Sequence, residues 1–138
     1  MKRLMFLSLV ALVVGPSQAA ATEQAGTYRG EAGISVRYYA GGVGQSTEEE
    51  AAERSPDYSV RVLFATPERT LLGNVGLTVT DMQGRVVFRI EKADPIIYLG
   101  LPQGTYTFEG AYHGAMKRFL SVAVDLRRRR DLVFVFPE

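Results

Sequence analysis

The stretch from Pro95 to Tyr112, PIIYLGLPQGTYTFEGAY, restricts the fold more than any other part of this chain. It reads as strand, tight turn, strand. Within the turn, Pro102 presets one backbone dihedral and Gly104 permits the positive value that a reversal often needs. Tyr106 can fold its ring inward and return its hydroxyl to a nearby backbone group, the logic of a tyrosine corner in a β-sandwich.

Alternation carries the same reading along the chain. Ile34, Val36 and Tyr38 alternate with Ser35, Arg37 and Tyr39, which is strand period. From Tyr58, one face holds Tyr58, Val60, Val62 and Phe64, and the other Ser59, Arg61, Leu63 and Ala65. Val75, Leu77 and Val79 follow, and Asp81-Met82-Gln83-Gly84 reads as a hairpin turn with Gly84 where a left-handed residue is wanted. Val86, Phe88 and Ile90 form the inward set of the return strand. After the central turn, Tyr106, Phe108, Gly110 and Tyr112 face one way, and His113-Gly114 reverses the chain. Arg118, Leu120, Val122 and Val124 then share a face, and Leu132, Phe134 and Phe136 complete the set. Seven to eight short antiparallel strands separated by turn signals predict an all-β sandwich. The exception is Thr47-Glu48-Glu49-Glu50, a capping-box spacing with an acidic first turn, which predicts one short helix over residues 48–54, closed by Ser55-Pro56.

The N-terminal residues follow a different pattern. Lys2 and Arg3 precede an apolar run from Leu4 to Val14, then a Gly15-Pro16 break and the small residues Ser17-Gln18-Ala19. This predicts a cleavable export signal over residues 1–19, with a second candidate cut after Ala21, and hence a periplasmic protein. The run is shorter than the roughly 20 residues of a membrane span, and no cysteine follows it to carry a lipid. Residues 20–31 are polar and glycine-containing and read as a tether, leaving residues 32–137 as the domain. Losing Lys2 and Arg3 takes the 16 basic side chains to 14 against 15 acidic ones, a net charge of −1. Such a balance argues against a general nucleic-acid binder. Without cysteine, stability must come from the core alone.

The order of elements resembles a known family. Asn74 to Val87, NVGLTVTDMQGRVV, the later LPQGTY and the final alternating apolar run look like the carboxypeptidase regulatory-like domain, a seven-stranded transthyretin-like (prealbumin-like) sandwich. With the export signal, the Gly41-Gly42-Val43-Gly44 segment and the short helix, it looks more narrowly like small exported proteobacterial proteins carrying that domain. In large carboxypeptidases the domain is a non-catalytic companion, so the resemblance implies a stand-alone accessory or binding module.

The residues give chemistry little to use. With one histidine and no cysteine, an ordinary zinc enzyme is improbable. A serine–histidine–acid arrangement would need His113 with Ser121 and Asp125, and no G-x-S-x-G elbow is present. Hydroxyisourate hydrolases share the transthyretin-like fold but use further histidines and a Tyr-Arg-Gly-Ser end that this chain does not have. No cofactor is expected, and a small periplasmic hydrolase is the alternative to a binding module. Three binding surfaces are open. The run Arg127-Arg128-Arg129-Arg130 suits an anionic surface from a hairpin tip, or is a solvated loop. Tyr39 and Tyr98 are candidates for a glycan platform, weakened by the absence of tryptophan, while the nearby glycines Gly41, Gly42 and Gly44 read as a flexible turn or as backbone amides open to an anion. Leu63, Val87, Val133 and Val135 point outward and would suit an envelope protein or self-association.

Overall fold

The computed structural model describes residues 24–42 and 47–137. The segment predicted to be an export signal, with its alternative cuts, lies outside the described residues, as does Gly44. Among the described residues the chain forms β1 (Gln24–Arg29), β2 (Ser35–Gly41), α1 (Thr47–Arg54), β3 (Val60–Ala65), β4 (Val75–Thr80), β5 (Val86–Ala93), β6 (Ile96–Leu99), β7 (Gly104–Tyr112), β8 (Ala115–Val124) and β9 (Arg130–Val135). Two sheets pack face to face, ordered β1-β2-β6-β3-β9 and β5-β4-β7-β8. The all-β sandwich with one short helix is therefore correct, and these nine strands exceed the expected seven to eight.

The additional strand is β1, in the segment read as a tether. Its polar residues hide one anchor, Tyr28, whose ring meets Phe88 edge-on at 5.4 Å in the core. Along its length β1 pairs antiparallel with β2, from Gln24 opposite Ala40 to Arg29 opposite Ser35. The following turn grips the other sheet, because Glu31 N donates to Val86 O at 2.8 Å and Val86 N donates to Glu31 Oε1 at 3.0 Å. A second departure concerns direction. Each ladder is antiparallel except β3–β9, which runs parallel from Val60–Arg130 to Ala65–Val135. The chain leaves the four-stranded sheet at β8 and enters the five-stranded sheet at β9, so residues 125–129 form a crossover between layers rather than a hairpin tip.

The turn that anchors the sequence reading forms as expected. Tyr106 Oη donates to Pro102 O at 2.8 Å, and Ser59, buried beneath it, accepts from Leu101 N at 3.0 Å and donates to Leu101 O at 2.8 Å. Asp81 caps its own turn by accepting from Gln83 N and Arg85 N, both at 2.9 Å, with Gly84 at φ +80°.

Of three register shifts in the described ladders, two move side chains off a plain alternation in the core. One interrupts the β4–β5 ladder between Val79–Phe88 and Thr80–Val86, so Val87 and Phe88 are both fully buried. Val87 is thus not an outward residue. The other interrupts β7–β8 beside Ser121, held at φ +55°, and turns Phe119 inward while leaving Leu120 68% exposed. Arg118 faces outward with it and binds Glu109 at 2.8 Å. The core between the sheets holds Val62, Phe64, Leu77, Phe88, Phe108 and Phe134. Each such side chain contributes roughly 1.5–3 kcal/mol by leaving water. A smaller cluster of Tyr39, Ala52, Tyr58 and Tyr98 lies outside this core. Tyr58 precedes β3 and joins that cluster instead of facing inward with Val60. No described helix is long and apolar enough to cross a membrane.

Candidate functional site

The outer face of the five-stranded sheet combines two halves of opposite character. Strand register sets its rows. Tyr98, Arg61 and Asp131 stand side by side on β6, β3 and β9, and Ile96, Leu63 and Val133 form the next row. Ala65 and Val135 follow, with Leu71 bridged to Ala65. Helix α1 lies over the first half and leaves the second uncovered.

α1 starts as the capping-box residues predict, with Glu48, Glu49 and Glu50 in its first turn and Arg54 in its last. Its apolar contact is small, since Ala52 is its one buried residue. Polar bonds do most of the holding. Glu49 accepts from Gly42 N at 3.1 Å and so ties the first turn of α1 to the end of β2. Arg129 donates to Ala52 O at 3.2 Å, Ser55 O at 3.1 Å and Tyr58 O at 3.3 Å, placing a cation on the carbonyls of the helix C-terminus.

At the centre stands Glu53. Tyr98 Oη donates to its Oε1 at 2.6 Å, and Arg61 Nη1 reaches the same oxygen at 3.2 Å. Arg129 Nη1 lies 3.7 Å from Oε2. The Tyr98 hydrogen bond, reinforced by Arg61 and Arg129, holds the Glu53 carboxyl below its usual range despite partial burial. Burial first, then the Glu53 carboxylate, pushes the Tyr98 phenol up to about 12, so it stays protonated and donates. Asp131 steadies Arg61 from the other side at 3.5 Å, and the Arg129 guanidinium sits 5.4 Å from the centroid of the Tyr98 ring.

The residues singled out in sequence separate here. Tyr39 and Tyr98 lie outside the main core as expected, but α1 covers them, and at 5% and 1% exposure they present no glycan platform. Gly41 packs on the Tyr39 ring, 3.0 Å from the place a Cβ would take, and Gly42, at φ +106°, lies against Ile96. Both glycines serve close packing. The four arginines divide four ways. Arg127 folds back on Asp125 at 3.1 Å, Arg128 is exposed with no side-chain bond among the described residues, Arg129 is the clamp, and Arg130 opens β9 through its N–H to Ser59 O at 2.8 Å. Of the run, Arg129 alone converges with Tyr39, through Tyr98. Glu53, Arg61, Tyr58 and Asp131 escaped the sequence reading. Their partners lie 45 to 71 residues away or on separate strands, and alternation shows only that Arg61 faces outward. His113 stacks on Tyr112 at 4.1 Å at the β7–β8 turn. Ser121 lies six residues further along β8 than Ala115, roughly 20 Å by strand rise, so these two do not assemble as a catalytic pair.

The uncovered half holds Leu71, Val133 and Val135, exposed at 42%, 47% and 39%, around half-buried Leu63 and Ile96. Alongside runs β9, which ladders only with β3 and leaves its other edge open among the described residues. Compared with protein-family descriptions, curated proteins and solved structures, the chain finds no match.

Proposed function

We propose that this chain is an exported, non-catalytic binding module of the carboxypeptidase regulatory-like, transthyretin-like kind, and that it meets an envelope protein through the outer face of its five-stranded sheet. One observation carries the reading. Half of that face has its own helix as cover, and the other half presents contiguous Leu63, Leu71, Val133 and Val135 to water beside an open strand edge. Apolar rows next to unpaired backbone groups suit a protein surface or an added strand. The same geometry weakens the other partners considered. The tyrosines suited to a sugar are buried, and the arginines suited to an anionic surface are dispersed, with Arg129 committed inside. The membrane-directed signal segment supplies the periplasmic setting of the proposal.

A photoreactive amino acid placed at Val133 or Val135 in the cells of origin tests it. The expected result is a discrete higher-mass adduct in the periplasmic fraction, absent when the same group replaces Thr78 on the opposite sheet. No adduct from β9, or equal adducts from Thr78, would reject the reading.

A further inference from the structure

The covered half of the face carries a second inference, which stands whether or not the apolar half meets a protein. Three donors converge from three separate parts of the fold: the Tyr98 phenol from β6, the Arg61 guanidinium from β3, and Arg129 from the crossover before β9. Their positions are set largely by the sheet. Asp131 holds Arg61, while Arg129 rests on the Tyr98 ring and donates to Tyr58 O, contacts independent of its bonds to Ala52 O and Ser55 O at the end of α1. What they hold is a carboxylate, and α1 delivers it.

α1 itself has little apolar attachment and is held chiefly by polar bonds, which a competing ligand can exchange. It has eight residues and one buried side chain, and a helix of that length is marginal without packing. Clefts of about 190 and 280 Å³ open on its two flanks, the first lined by Glu50, Glu53 and Tyr98, the second by Tyr39, Ala52 and Tyr58. Both reach the tyrosines. Lifting α1 would uncover three aromatic rings beside two guanidiniums and a phenol proton, a surface fitted to an acidic side chain flanked by an apolar one.

We propose that Tyr98, Arg61 and Arg129 form a carboxylate-binding site that Glu53 of the chain itself occupies, and that an acidic side chain of a partner peptide takes its place when α1 lifts. Glu53 thereby acts as an internal competitor. An occupant tethered to its own receptor reduces the fraction of molecules able to bind, and weakens apparent affinity by that fraction.

Two probes test the site on the full exported chain. Propionate, which reproduces the Glu53 side chain, is titrated into wild type and Glu53→Ala while the Nε–H signals of Arg61 and Arg129 are followed by NMR. Saturable shifts are expected in Glu53→Ala, at an apparent affinity at least about tenfold tighter than in wild type, with none from propionamide. Equal responses of the two proteins, or shifts that survive Arg61→Gln in the Glu53→Ala background, would overturn the site. A peptide copying Thr47–Arg54, supplied in trans, tests replacement. It should shift the same signals in Glu53→Ala, and its counterpart with glutamine at the Glu53 position should not. Equal effects of the two peptides, or none from either, would overturn replacement while leaving the site. Should Glu53→Ala lose its dispersed spectrum, Glu53→Gln keeps an acceptor for Tyr98 and lacks the charge; propionate shifts no tighter than in wild type would then reject the proposal.

Discussion

Four adjacent arginines meet four environments, and side-chain location decides what each contributes. Arg129 is largely buried and donates to three backbone carbonyls, whereas Arg128 is exposed with no side-chain bond among the described residues. Hydrogen bonds from a charged donor contribute about 1.5–3 kcal/mol where their loss leaves buried acceptors unmet. Arg129→Ser should therefore destabilise by about 2–3 kcal/mol, and Arg128→Ser by no more than about 0.5 kcal/mol, as read from denaturant midpoints. Titration separates the partners of Arg129 further. Glu53 has a folded-state pKa below its unfolded value, so its contribution is present above about 4.5 and is lost as pH falls through the lower folded value. Tyr98 is the reverse: raised from 10.0 to about 12, its contribution is full below 10.0 and disappears as pH climbs through about 12. Glu53→Gln should flatten the acid limb of stability against pH and move the Tyr98 titration, followed by phenolate absorbance, back toward 10.0. An acid limb unchanged by the substitution would contradict this assignment.

At the scale of elements, local chemistry and long-range pairing divide the work. The β6–β7 turn was legible because Pro102, Gly104 and Tyr106 act within one reversal, and the hydroxyl bond to Pro102 O spans four residues. Tyr106→Phe should cost about 1 kcal/mol through that lost bond, and an unchanged denaturation midpoint would remove the tyrosine corner's energetic role. The Asp81–Gly84 turn and α1 were legible for the same reason. Bulges were not, because a strand's period is broken by its neighbour's register; nothing in the local sequence of Val87 or Ser121 announces it. β1 was missed because a single Tyr28 supplies its burial while the rest of its residues face water. Its attachment depends on Gly30, where a Cβ would sit 2.3 Å from Val86 O. Gly30→Ala must push that turn off β5, with an expected loss of about 1–3 kcal/mol and faster amide exchange at Glu31 and Val86.

For the whole molecule, the sandwich class followed from alternation, but the candidate site did not. A site made where β3, β6, the crossover and α1 meet depends on strand order, and the parallel placement of β9 beside β3 is invisible to a two-residue period. The apolar half was partly legible, since Leu63, Val133 and Val135 were read as outward; Leu71 joins them only through its bridge to Ala65. Lysines at Val133 and Val135 together should leave the midpoint within about 0.5 kcal/mol. They should also abolish the adduct formed by a photoreactive group at Leu71. A retained adduct would place the contact elsewhere.

The position of β9 has a further consequence for how the protein is made. Tyr58 and Arg129 touch across 71 residues, and Phe134 and Phe136 complete a core whose other walls are synthesised earlier. Contacts so distant along a polymer form slowly, and nascent segments awaiting them remain pliable. A nascent polypeptide would thus remain unlocked until its trailing segment emerges, and a ribosome that stops before Leu132 would release a product whose two layers never seal.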